Sequence, residues 1–207
     1  MKRALLVLCQ GVEEYEASVF TDALGWTTTY GLEPIALLTV GLRPKVRCAW
    51  NFTIEPQCQL EQVDVAAFDA LLIPGGMGRA GFYEDAYDGR LLALIRQFDA
   101  ERKLIASVCV GAMPIARSGV LQGRRGTTYC RSPERQQQMA ALGVQVLAEP
   151  LVVDDNIITC SSPGQALQVA FMVVERLSSA ANLARIQEGM GFDGRSSWPE
   201  RPEPRCT

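Results

Sequence analysis

The chain of 207 residues contains no histidine. That absence excludes the Cys–His and Ser–His–Asp arrangements of hydrolases, and every zinc site that needs an imidazole ligand. Cysteine is not scarce, with 7 residues, but none stands in a Cys-x-x-Cys pair and the spacings are irregular. Neither a bound metal nor a disulfide framework is expected, because a chain with 48% hydrophobic residues can bury a full core without staples. No apolar run reaches the roughly 18 residues of a membrane span, and the short run after Met1-Lys2-Arg3 lacks a signal peptide's cleavage region. Net charge is −3, so no basic field invites nucleic acid or an anionic membrane, and Arg124-Arg125 reads as a solvated turn. The expectation is one cytoplasmic domain over residues 1–190, followed by a flexible Pro-, Arg- and Glu-rich tail at 191–207.

What the chain does have is a repeated alternation of short apolar runs with helical periodicity. Residues 2–9 form a continuous apolar run, as expected of a strand inside a parallel sheet. Gly11-Val12-Glu13-Glu14-Tyr15-Glu16 breaks it and opens a helix to about Tyr30, with an acidic first turn that suits the helix dipole. Further strands are predicted at 33–40, 69–73, 104–108 and 126–130, with hairpins at 47–54 and at 144–160 around Asp154-Asp155. Helices are predicted at 87–100, after Cys109 to Ser118, and at 132–142, 165–177 and 181–190. Alternating strands and helices imply a doubly wound, mostly parallel sheet, in which ligands bind outside the carboxyl ends of the strands. Three breaks fall at such ends: Gly11–Glu16, Pro74–Gly78 and Cys109–Gly111.

Together these breaks supply the parts of a reaction centre. Cys109 stands where an apolar strand turns into a helix, a corner that holds its residue in a strained turn and aims the side chain outward. The positive end of the following helix is expected to lower the thiol pKa. Gly75 and Gly76 bring backbone N–H groups within reach of a developing oxyanion. Glu16 starts at the same sheet edge and can hydrogen-bond the sulfur or carry a proton. Like-charge repulsion from a thiolate would raise its pKa and leave a protonated donor, the role histidine fills elsewhere. Cys9, Cys130 and Cys160 read as packing residues.

On these residues the chain resembles the ThiJ/PfpI superfamily, within it the Parkinsonism-associated deglycase branch of the class I glutamine-amidotransferase-like fold. The matching runs are Lys2-Arg3-Ala4-Leu5 through Gly11-Val12-Glu13-Glu14-Tyr15-Glu16, Leu72-Ile73-Pro74-Gly75-Gly76-Met77-Gly78, Ile105 through Gly111, Thr127-Thr128-Tyr129, and Ile157 through Gly164. The resemblance implies a flavodoxin-like α/β three-layer sandwich that forms a homodimer, with Cys109 as elbow nucleophile and Glu16 as the carboxyl facing it. It implies oxyanion-binding backbone at Gly75, Gly76 and Val110. Tyr129 occupies a position where relatives commonly carry histidine, and with a reference pKa near 10 it is a poor base at neutral pH. Val110 stands where peptidase-like members place histidine, which argues against a peptidase. Ser162 replaces a frequent glycine before Pro163, and Trp50 adds bulk near the entrance. Tyr129, Glu14, Trp50 and Pro163 are accordingly candidates for the pocket wall.

The expected function is cofactor-free attack by Cys109 on a small-molecule electrophile, an α-oxoaldehyde in glyoxalase- or deglycase-like chemistry, with Glu16 as acid and base. Isonitrile hydration and tailoring of a specialised metabolite are the nearest alternatives. A third is an oxidative-stress sensor without turnover, in which Cys109 is held as a sulfinate.

Overall fold

A strand covered on both faces needs an unbroken apolar run, and five such runs assemble the centre of this protein. The computed structural model describes residues 1–192, so nearly all of the 191–207 segment lies outside the described residues. Strand β1 (Lys2–Leu8) is fully buried from Ala4 onward. It pairs in parallel with β2 (Ile35–Gly41) on one side and β6 (Ala70–Ile73) on the other. β7 (Leu104–Ser107) continues the sheet beside β6, and β11 (Ile157–Cys160) lies beside β7, both in parallel. The edges are β10 (Leu151–Asp154), the antiparallel arm of a hairpin, and the short β5 (Cys58–Gln59). The full order is β10-β11-β7-β6-β1-β2-β5. Its parallel centre is the 2-1-3-4-5 order of flavodoxin-like folds, whose topological switch point lies between the first and third strands.

Helices cover both faces. α1 (Glu14–Thr29), α6 (Ala166–Leu177) and α7 (Ala180–Gly189) pack together on one, and α3 (Gly89–Ala100), α4 (Ala112–Arg117) and α5 (Pro133–Ala141) on the other. A short α2 (Phe82–Ala86) precedes α3, which begins only where Asp88 caps the Arg90 N–H, two residues later than the periodicity suggested. The hairpin expected at 47–54 is present as β3 (Val46–Arg47) and β4 (Thr53–Ile54), outside the main sheet.

Two expectations need correction. The run 126–130 is not a strand of the main sheet: only β8 (Arg125–Gly126) pairs, with β9 (Gln145–Val146). The following residues form a strap whose polar groups go elsewhere. Thr127 N–H donates to Thr159 Oγ1 at 3.0 Å, and Cys130 N–H to the Ser161 carbonyl at 2.9 Å. For the same reason the second hairpin is shorter than 144–160, since Gln145–Val146 is recruited to β8 and the turn follows Asp154.

Candidate active site

The switch point places the carboxyl ends of β1, β6 and β7 side by side, and all three glycine-containing breaks meet there. The loop after β1 is tied to the loop after β6 by two backbone bonds, Glu13 N–H to Gly75 O at 3.0 Å and Met77 N–H to Gly11 O at 2.9 Å. This pairing fixes where α1 begins, and with it the side chains of Glu13 and Glu16. The two acids are three residues apart at the helix start, a spacing that puts them on one face.

Cys109 sits at the corner beyond β7 with φ of 54°, a left-handed conformation that a side-chain-bearing residue adopts only when its surroundings impose it. Val108 before it is extended, and a single 3-10 turn, Cys109–Gly111, leads into α4. A Cβ at Gly111 would collide with the Ile73 carbonyl, so only glycine lets α4 leave the corner this close to β6. The corner is held from outside by Thr128, whose hydroxyl donates to the Cys109 carbonyl at 3.2 Å.

Glu16 is fully buried and Cys109 is 5% exposed. Donor atoms of Glu13, Glu16 and Cys109 lie within 4.8 Å of one another, the one set of metal-ligating side chains that converges among the described residues. Gly75 N–H donates to Glu16 Oε2 at 2.6 Å. This corrects the expectation that Gly75 is a free oxyanion donor: its N–H is spent on the carboxyl. The Gly76 N–H makes no hydrogen bond among the described residues. The Val110 N–H is directed at the Cys109 sulfur, where it would meet an oxyanion formed on the carbon that the sulfur attacks. A Cβ on Gly75 would sit 2.8 Å from Glu16 Oε2 and 3.0 Å from the Val108 carbonyl. Gly75→Ala is therefore expected to displace the Glu16 carboxyl and destabilise the protein by about 1–3 kcal/mol, read as a lower melting temperature together with lost activity.

The electrostatics differ from expectation in their cause. Burial lifts the Glu16 carboxyl from an ordinary 4.5 to about 8, and the neighbouring Glu13 charge adds to this, while the Gly75 N–H opposes it. Desolvation thus does what thiolate repulsion was expected to do. The Cys109 thiol is also raised, first by burial and then by the Glu16 charge, with the Val110 N–H pulling the other way. The lowering expected from the helix start is outweighed: the Val110 N–H favours the thiolate, and burial exceeds it. The Glu16 repulsion disappears once Glu16 takes a proton. Because the thiol lies higher than the carboxyl, the two titrate as a pair that holds both protons below about 8 and gains its first negative charge on Glu16 above it.

The wall residues divide. Glu14 is an anchor: its Oε1 accepts the N–H groups of Trp50, Asn51 and Phe52 at 3.1, 3.1 and 3.4 Å, fastening the β3–β4 loop to α1. Glu14→Ala is expected to cost about 1–2 kcal/mol and to speed amide exchange at residues 50–52. Trp50 is 53% exposed, with the Arg79 guanidinium 5.5 Å from its ring centroid. Tyr129 is partly buried on the strap, next to Thr128. Pro163 opens the 3-10 turn Pro163–Gln165 that follows β11. Two site residues were missed as such. Glu13 reads from the sequence only as a helix-start acid, although its three-residue offset from Glu16 is legible there. Cys160 reads from the sequence as a packing residue, yet the Cys109 N–H points at its sulfur, a contact made by sheet pairing that no spacing shows.

Comparison with known proteins gives the fold's relatives. The DJ-1/PfpI family model matches residues 2–176. Protein dj-1beta of Drosophila melanogaster is 29% identical over 192 residues, covering 91% of this chain and 96% of that protein. Its crystal structure superposes with a TM-score of 0.79 at 26% identity, over 91% of this chain and 97% of that one. Glutathione-independent glyoxalase DJR-1.2 of Caenorhabditis elegans is 29% identical over 85% of this chain and 89% of its own length. Deglycase PYRAB04690 of Pyrococcus abyssi is 33% identical over 55% of this chain and 65% of its own length. Among the described residues no helix is long and apolar enough to cross a membrane.

Proposed function

The chain belongs to the DJ-1/PfpI family, and on that premise we propose that it is a cysteine-dependent enzyme acting on small α-oxoaldehydes, in glyoxalase- or deglycase-like chemistry. The observation that carries the reading is the buried pair of Cys109 and Glu16, with the carboxyl fixed by the Gly75 N–H and raised to about 8. Relatives named as a glyoxalase and as a deglycase support the substrate class.

In the proposed cycle Glu16, as carboxylate, takes the Cys109 proton while the sulfur attacks the aldehyde carbon. A carboxyl whose pKa is near 8 is a far better match for a thiol proton than an ordinary carboxylate. The carbonyl π electrons move to oxygen, where the Gly76 and Val110 N–H groups stabilise the alkoxide. Glu16 then returns its proton to that oxygen, giving a neutral hemithioacetal. Glu16, again a carboxylate, takes the proton from the hemithioacetal carbon, and the enediol is reprotonated on the neighbouring carbon to give a 2-hydroxyacyl thioester. Water adds to its carbonyl and expels the sulfur, releasing the hydroxy acid and restoring the thiol. The strained corner holds the sulfur in place throughout, so no reorganisation is needed at the moment of attack. The proposed assembly is a homodimer.

The test is consumption of methylglyoxal by purified protein, with lactate as product. Absence of turnover, combined with selective gain of oxygen at Cys109 over the exposed Cys130 under mild peroxide by mass spectrometry, would replace this reading with the oxidation sensor.

A further inference from the structure

Where α2, α4 and α5 meet, a groove of about 480 Å³ is lined by Tyr83, Tyr87, Met113, Arg117, Arg135 and Leu142 among others. The Tyr83 and Tyr87 rings lie 4.9 Å apart, tilted by 37°. The Arg135 guanidinium sits 4.5 Å from the Tyr83 centroid, and that of Arg117 5.6 Å from the Tyr87 centroid. Neither guanidinium forms an ion pair with a described residue. Arg135 Nη1 donates to Gln138 Oε1 at 2.7 Å, and the nearby Glu134 accepts from Gln138 Nε2 at 3.1 Å. Two cations thus lie over aromatic rings, with most of their N–H groups unspent.

A guanidinium held over a ring has less conformational freedom left to lose and presents a planar fork. That fork matches a carboxylate or phosphate, which it binds through paired charge-assisted hydrogen bonds. The groove also has an apolar side, from Met113 and Leu142. Its position relates it to the candidate active site: Met113 and Arg117 lie four residues apart on α4, the helix that starts directly after the Cys109 corner.

We propose that this groove is a subsite for an organic oxyanion, a carboxylate or phosphate carried on an apolar or aromatic body. Arg117 and Arg135 grip the oxyanion, and Met113, Leu142 and the tyrosine edges contact the body. That its occupant is also the electrophile attacked by Cys109 rests on the function proposed above; the subsite itself does not.

The experiment is calorimetric titration of the Cys109→Ser protein, which keeps sulfur chemistry out of the measurement, with phenyl phosphate, benzoate and the neutral benzamide. At least one anion is expected to bind saturably and at least tenfold more tightly than benzamide, and the tighter anion identifies the headgroup. Adding Arg117→Gln and Arg135→Gln together is expected to weaken that anion at least tenfold, with partial recovery when both are lysine. If the glutamine pair lowers the melting temperature, the exposed Arg117→Gln alone carries the test, with a loss of at least threefold. Binding of neither anion, equal binding of benzamide, or binding indifferent to the arginine changes overturns the proposal. Failure of the enzymatic reading shows separately, as absent methylglyoxal turnover in the wild-type protein, and leaves this titration standing.

Discussion

Cys109→Ser is expected to lower kcat/KM for methylglyoxal by about a thousandfold or more, to the rate of the uncatalysed background. The chain has no histidine to activate a hydroxyl, and a serine proton is far too tightly held for a carboxyl whose pKa is about 8. The substitution leaves the corner backbone unchanged and removes one sulfur from a nearly closed site, so the fold persists and the loss is chemical. Circular dichroism and the melting curve check the first point, single-turnover kinetics the second. Turnover that survives in the serine protein would show that Cys109 is not the nucleophile.

Glu16→Gln is expected to lower kcat/KM by about 10²–10⁴-fold, the usual worth of a positioned acid–base group. It also makes a prediction about pH that a merely structural role would not. In the wild-type protein the pair acquires its single negative charge as Glu16 titrates, so activity should rise with pH through about 8 and then level off. The glutamine protein should lose that limb. Stability should move in the opposite sense. Because burial raises the folded-state pKa above the unfolded one, Glu16 contributes stability that is fully present below the ordinary carboxylate value. That contribution is lost as pH rises through about 8. The wild-type melting temperature should therefore fall across this window. The glutamine protein should fall less and become the more stable of the two above it. Parallel melting curves for the two proteins from acid to alkaline pH would refute the buried, raised carboxyl.

These two predictions depend differently on what was legible in the chain. The central sheet could be read directly, because β1, β6, β7 and β11 are short apolar runs bounded by glycine, proline or polar turns, and strand pairing needs little more than that pattern. The corner at Cys109 was readable too, as a thiol between an apolar strand and Gly111. Membership of the DJ-1/PfpI family, inferred from motifs in order along the chain, is borne out by the family match over residues 2–176. The elements that sequence placed wrongly are those with polar character. The strap after Gly126 has strand-like residues, but Thr159, Ser161 and Cys109 claim its hydrogen bonds. Helix α3 starts late because the Asp88 cap overrides the apolar spacing upstream.

The sequence by itself determined that a cysteine without a histidine partner would stand at the carboxyl edge of a parallel sheet, with acids and glycines converging on it. Periodicity, turn residues and residue type are local properties, and they suffice for that. Only the tertiary structure decided that the Gly75 N–H belongs to Glu16, that Glu14 fastens a hairpin, and that two arginines lie over two tyrosines in a groove along α4. It also decided that Cys109 and Glu16 are buried together, which raises both pKa values. The physical reason is that desolvation and hydrogen-bond partnership depend on every group packed around an atom, and those groups come from segments dozens of residues apart. No spacing along the chain records them.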